Sequence, residues 1–181
     1  MKGSHNESSM RDLVDLGSHT PQMKGSHNWV GMARSLKPGS HTFQMKGSHN
    51  QSLTFPNNDA GSHTLHLKGS HNERTCIARG SYGSHTFQMK GSHNTLTRAF
   101  FTSAGSHTFQ MKGSHNSQTQ EAGGRLGSHT LQMKGSHNNG YSIDQSLGSH
   151  TLQIKGSHNR FDLGGSKHSG SHTLQMKGSH N

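Results

Sequence analysis

One block of twelve residues, Gly-Ser-His-Thr-(Leu/Phe)-Gln-Met-Lys-Gly-Ser-His-Asn, returns eight times along this 181-residue chain, separated by segments of nearly constant length and no shared pattern. The copies occupy 17–28, 39–50, 61–72, 83–94, 105–116, 127–138, 148–159 and 170–181, and a half-block, 1–6, precedes them. The inserts have ten residues, except 139–147, which has nine, so the period is 22 with one step of 21. A fixed period of this size restricts a folded chain to a solenoid, a propeller or an array. Residues 1–181 therefore read as a single tandem-repeat region with no separate globular domain.

In a solenoid the recurring positions are usually the apolar ones that stack into a core. Here the block repeats Gly, Ser, His, Thr, Gln, Lys and Asn, with two apolar positions per copy, such as Phe43 and Met45. Leu, Ile, Val and Phe together number 25 of 181, about 14%, below the level at which a chain builds a core readily. The two apolar side chains of a rung return only a fraction of the entropy lost in ordering 22 residues. The expectation is a largely disordered, low-complexity chain with transient turns at Gly-Ser. The alternative is an irregular β-repeat, a solenoid-like stack of 22-residue units with short strands at Thr-(Leu/Phe)-Gln-Met-Lys, as in Thr42 to Lys46.

The inserts read differently from one another. Segment 7–16 places Met10, Leu13 and Val14 at helical spacing behind Ser8 or Ser9 as a cap, predicting a helical turn or two. Segment 95–104 predicts a strand from Leu96 to Thr102. Segment 51–60 ends in turn residues, and 117–126 is polar with a Gly pair. Such segments behave as unrelated draws that share no rung geometry.

The formal net charge is +10; nine of the eleven lysines belong to the block, and all eight acidic residues lie in inserts. That balance favours nonspecific contact with nucleic acid and excludes nothing about fold. No apolar run approaches a membrane span and no secretory leader is evident, so the default expectation is a cytoplasmic chain without membrane contact. A single cysteine, Cys76, offers neither an internal disulfide nor a thiolate cage.

Histidine is the residue with the most chemistry to offer: nine of the 19 come from Gly-Ser-His-Asn and eight from Gly-Ser-His-Thr, with His66 and His168 elsewhere. Imidazoles eight residues apart, as at His19 and His27, would take up Ni(II), Cu(II) or Zn(II) in a test tube through mobile loops. A built zinc site needs three or four ligands in fixed geometry, and no carboxylate or thiol recurs beside these histidines, which read as solvated repeats. Ser-His pairs such as Ser40-His41 lack an orienting acid. The run Gly164-Gly165-Ser166-Lys167 lacks the phosphate-loop spacing, and Trp29 alone makes no stacking stripe for nucleic-acid bases. No catalytic, cofactor-binding or metal-binding residue is assigned, no cofactor or specific partner is expected, and the chain does not read as an enzyme.

At three nucleotides per residue the block spans 36 nucleotides and the usual insert 30. Near-identical repeats alternating with unrelated spacers of uniform size resemble a translated CRISPR repeat–spacer array of type II-like dimensions, and the resemblance covers the whole chain. Differences between copies fit nucleotide change: Leu131, Phe43 and Pro21 share one block position, where the Phe and Pro codons each lie one base from the Leu codon CTY, and Gln44 and His66, or Met45 and Ile154, are likewise single-base neighbours. The resemblance implies an open reading frame with no evolved biochemical function, since in such loci specificity lies in guide pairing. The alternative is a histidine-rich repeat protein that binds divalent transition metals or a surface.

Overall fold

A computed structural model describes residues 1–10, 17–32, 39–54, 59–78, 81–164 and 167–180. Its strands, in chain order, are β1 (His5–Met10), β2 (Gly17–His19), β3 (Gln22–Lys24), β4 (His27–Met32), β5 (Gly39–Lys46), β6 (His49–Thr54), β7 (Asp59–Lys68) and β8 (His71–Ala78). They continue as β9 (Ser81–Lys90), β10 (His93–Lys112), β11 (His115–Lys134), β12 (His137–Lys155), β13 (His158–Leu163), β14 (Lys167–Ser169) and β15 (His172–Lys177). All pairings among them are parallel, and each residue lies beside its counterpart 22 positions on, or 21 across the nine-residue insert, as in His49 beside His71, Phe87 beside Phe109 and His137 beside His158. The chain is a parallel β-solenoid.

Each rung has two walls. One begins with His-Asn and runs into the insert, giving the ladder β1, β4, β6, β8 and the first halves of β10 to β12, then β13. The other carries Gly-Ser-His-Thr-(Leu/Phe)-Gln-Met-Lys, giving β2 and β3, β5, β7, β9, the second halves of β10 to β12, and β15. The second Gly-Ser of the block is the bend between the walls. Its backbone also bonds from rung to rung: the Gly47 N–H donates to Lys68 O (3.0 Å) and the His49 N–H to Ser26 O (2.8 Å).

The expectation of disorder is overturned, and the stacked 22-residue alternative matches the structure. The reason is that a polar residue repeated in register can satisfy itself. Asn28, Asn50, Asn72, Asn94, Asn116, Asn138 and Asn159 are all buried. The Asn72 Nδ2 donates to Asn94 Oδ1 at 2.8 Å, with Gly69 O and Lys90 O also within 3.2 Å, and the same set recurs from Asn6 to Asn138. A buried polar side chain is costly only when unpaired, and here every amide finds its partner in the next copy. An apolar-content threshold derived from ordinary domains omits this contribution.

On the second wall strict alternation sends His41, Phe43 and Met45 inward and Thr42, Gln44 and Lys46 toward solvent. Their counterparts build the core with Val30 and Leu96 from the inserts. Arginines from two inserts cross to this wall: the Arg74 guanidinium lies 4.2 Å from the Phe87 ring centre and that of Arg98 3.6 Å from Phe109.

Two glycine positions are obligatory. A β-carbon on Gly91, at the bend, would meet the Gly69 carbonyl and the Asn72 amide. Gly105 enters the second wall with φ of +114°, where side chains are strained.

The inserts adapt to the stack. The expected helical turn in 7–16 is replaced by strand β1 as far as Met10, and Leu13 and Val14 lie outside the described residues. The strand expected from Leu96 to Thr102 forms within β10, and polar 117–126 lies in β11. Segment 51–60 gives strand to Thr54 and again from Asp59, with its turn residues outside the described set. The nine-residue insert takes up its missing residue opposite Ala122 to Arg125, where the register shifts. Pro21 divides β2 from β3; both pair with β5, and Met1 and Lys2 bond on the other side to Gln22 and Lys24, which places Pro21 at a break in the strand where a missing N–H is tolerated.

Replacing Asn94 by Ala leaves its ladder neighbours short of a partner within the core, and about 1–3 kcal/mol of stability should be lost. Guanidinium unfolding measures this, and an unchanged midpoint would contradict the ladder.

Candidate functional site

The bend edge of the solenoid concentrates the chain's polar chemistry in columns. Lys24, Lys46, Lys68 and their counterparts to Lys177 form one exposed row, with Lys2 below it. The bend glycine and serine come next, followed by an exposed column of histidines from His5 to His180. Shallow grooves follow both sides. The one along Lys-Gly-Ser has a volume of about 1080 Å³, and two along His-Asn have about 700 and 460 Å³.

The exposed imidazoles stack face to face. From His27 to His158 ring centres are 4.8 Å apart and planes within 4° of parallel. A zinc ion bound at about 2.0–2.1 Å per nitrogen spans at most ~4.2 Å between two nitrogens. Parallel rings displaced by a full rung keep equivalent nitrogens farther apart than that. Consistent with this, among the described residues no group of three or more His, Cys, Asp and Glu is placed to hold a metal ion.

The histidines of Gly-Ser-His-Thr behave otherwise. His41, His63, His85, His107 and His129 are buried rather than solvated, with successive ring centres 4.8–5.1 Å apart and variable tilt. The pattern His41, Phe43, Met45 at i, i+2, i+4 already carried this signal. His19 and His27, eight residues apart in sequence, belong to different walls, and the side chain of His19 lies outside the described set.

The remaining candidates separate in space. Ser40 faces solvent while His41 faces the core, so one strand sends the two side chains to opposite faces. Cys76 is buried on β8, beside Thr54 and Arg98 in register. The ring of Trp29 lies over Gly31. Of the 164–167 run, Gly164 is in a turn and Lys167 opens β14, and the two residues between lie outside the described set, as does the side chain of His168. His66 stands in the column of Gln44 and Gln88. That column is a second amide ladder, in which Gln88, Gln110, Gln132 and Gln153 each donate to the next copy at 3.0–3.3 Å.

Sequence reasoning passed over the asparagines, the residues on which the edge is built. Their signal was an amide side chain at one fixed offset after every Gly-Ser bend.

No family model, no curated protein and no solved structure matches the chain. Among the described residues no helix is long and apolar enough to cross a membrane.

If single ions find no converging imidazoles on the folded edge, a transition metal gains most from the unfolded chain, whose histidines are mobile. Adding Ni(II) should therefore lower the thermal midpoint. A midpoint that rises with Ni(II) would point to a site the stacked columns do not offer.

Proposed function

We propose that this chain is the in-frame translation of a CRISPR-type repeat–spacer array and carries no selected biochemical activity. On this reading the selected property of the block is that of its nucleic acid, and the solenoid follows from repeating any suitable twelve-residue peptide at a period of 22. No reaction, cofactor or specific partner is assigned.

The observation that carries the reading is one inward-facing column contributed by the inserts. Val30, Ser52, Arg74, Leu96, Gln118, Gly140 and Phe161 succeed one another in register at the same place in the rung. All but Phe161 are buried. Selection for a stable solenoid favours apolar side chains of similar size at such a position, and this column contains aliphatic, hydroxyl, guanidinium, amide and glycine members.

The block supports the same reading in mirror image. The solvent-facing positions Ser40, Lys46, Ser48 and His49 are identical in every complete copy, although nothing in the fold requires it. The substitutions fall almost entirely on the two buried apolar positions, with Pro21, Phe43 and Leu65 at one and Met45, Leu67 and Ile154 at the other. Variation is ordinarily greatest at exposed positions and least in the core. A constraint acting on nucleotides has no reason to respect that distinction.

The alternative of a histidine-rich metal-binding protein draws on the exposed imidazole column, whose parallel stacking gives a single ion no converging ligands.

Two tests follow. The codons of the blocks should agree at third positions as closely as at the first two, and synonymous drift between blocks would falsify the array reading. The double substitution Ser52→Val with Arg74→Leu removes both members of the buried Arg74 Nη1 to Ser52 Oγ hydrogen bond (3.1 Å). Even with the Arg74 contact to Phe87 removed, it should leave stability unchanged or raise it, because replacing both partners of a buried polar pair by apolar groups of similar size is neutral or stabilising. A marked loss on chemical unfolding would show that the polar column is tuned.

A further inference from the structure

The lysine row is a regular array of like charges without a matching array of acids. Six rung spacings of about 4.8 Å separate Lys46 from Lys177, so seven ammonium groups project from roughly 29 Å of edge. The eight acidic residues all belong to inserts and none recurs beside the row. Neighbouring charges fall within the Debye length of about 8 Å at physiological salt and so repel one another. A simple anion relieves this at one rung and must be captured again at the next. A linear polymer of anions relieves it along the whole row for one loss of translational freedom.

We propose that the Lys-Gly-Ser edge is a binding groove for a linear phosphate polymer, held through its backbone charge alone. The groove of about 1080 Å³ runs along the row, with Gly47 and Ser48 and their counterparts as its floor. Small residues there let an extended chain approach the bend, and the exposed serine hydroxyls donate to phosphate oxygens between the ammonium groups.

The chemistry excludes base reading. Recognition of single-stranded nucleic acid without sequence preference ordinarily adds aromatic faces on which bases stack. Among the described residues, the only aromatic column beside the row is the exposed histidine stack, whose ring faces cover one another at 4.8 Å and 4° and offer edges alone. Trp29 is a single ring folded over Gly31. The ligand is therefore defined by a row of phosphates, which inorganic polyphosphate and a nucleic-acid backbone share. The property belongs to the folded edge, whatever the origin of the reading frame.

The test uses the full chain and four probes at 0.15 M salt: fluorescent inorganic polyphosphate, oligo-dT and oligo-dA of matched length, and inorganic phosphate. Polyphosphate should bind saturably, the two oligonucleotides within about threefold of each other, and inorganic phosphate without saturation. Replacing Lys68, Lys90, Lys112 and Lys134 by Gln removes four charges from the row. Glutamine is a side chain this fold already stacks in register from Gln88 to Gln153. Polyphosphate affinity should fall at least tenfold, and the salt slope should flatten by roughly one per lysine removed. Replacing Arg11, Arg34, Lys37 and Arg79 by Gln removes the same charge from inserts and should change affinity less than threefold, with circular dichroism verifying both folds. Equal losses in the two variants would reduce the effect to net charge and overturn the groove. So would a tenfold preference between oligo-dT and oligo-dA, tight binding of inorganic phosphate, or no binding of polyphosphate.

Discussion

Each block asparagine from Asn6 to Asn138 donates its side-chain amide to the copy of itself one rung along, and this column of hydrogen bonds, which ends on Asn159, sets the register of everything else. A slip by one residue would put histidine where asparagine is buried and turn each wall inside out. With the register fixed, identity does the rest. Rings meet identical rings, glutamines meet glutamines, and lysines are lined up facing water, because that is the side of the strand on which they fall.

Self-complementarity under translation is a property of only some side chains. Amides carry a donor and an acceptor and can chain indefinitely, and planar imidazoles can stack. Ammonium groups have only donors and one sign of charge, so their column is an unbalanced one. The same repetition that stabilises the asparagine and glutamine columns therefore produces the cationic edge from which the phosphate-polymer groove is inferred. Stability and surface chemistry share one cause, the 22-residue step between identical residues.

The period, the block boundaries and the alternating strand from Thr42 to Lys46 were legible in the sequence, as was the strand from Leu96 to Thr102. The expected helical turn around Met10 was not realised there, because local spacing in a ten-residue insert is overruled by neighbouring rungs that supply a complete set of backbone partners. Disorder was the wrong conclusion for a related reason. Counting Leu, Ile, Val and Phe treats Asn50 and His41 as costs, whereas each is buried against copies of itself. The exposed histidine column was legible as a set of residues but not as a stack, since spacing along the chain says nothing about parallel rings until the register is known.

The two halves of each rung differ in how strictly they repeat. The block is identical from copy to copy at the exposed Lys46 and Ser48, whereas the inserts bring residues as different as Arg74 and Gln118 to one buried position. What holds both in one architecture is the asparagine ladder, and its direct observation is the decisive measurement. In a uniformly nitrogen-15-labelled chain, hydrogen exchange of the asparagine side-chain amides should show the block asparagines protected by orders of magnitude relative to those of an unstructured peptide, with the central copies, such as Asn72 to Asn116, slowest. Exchange of all these amides at free-peptide rates would contradict the ladder and the solenoid built on it.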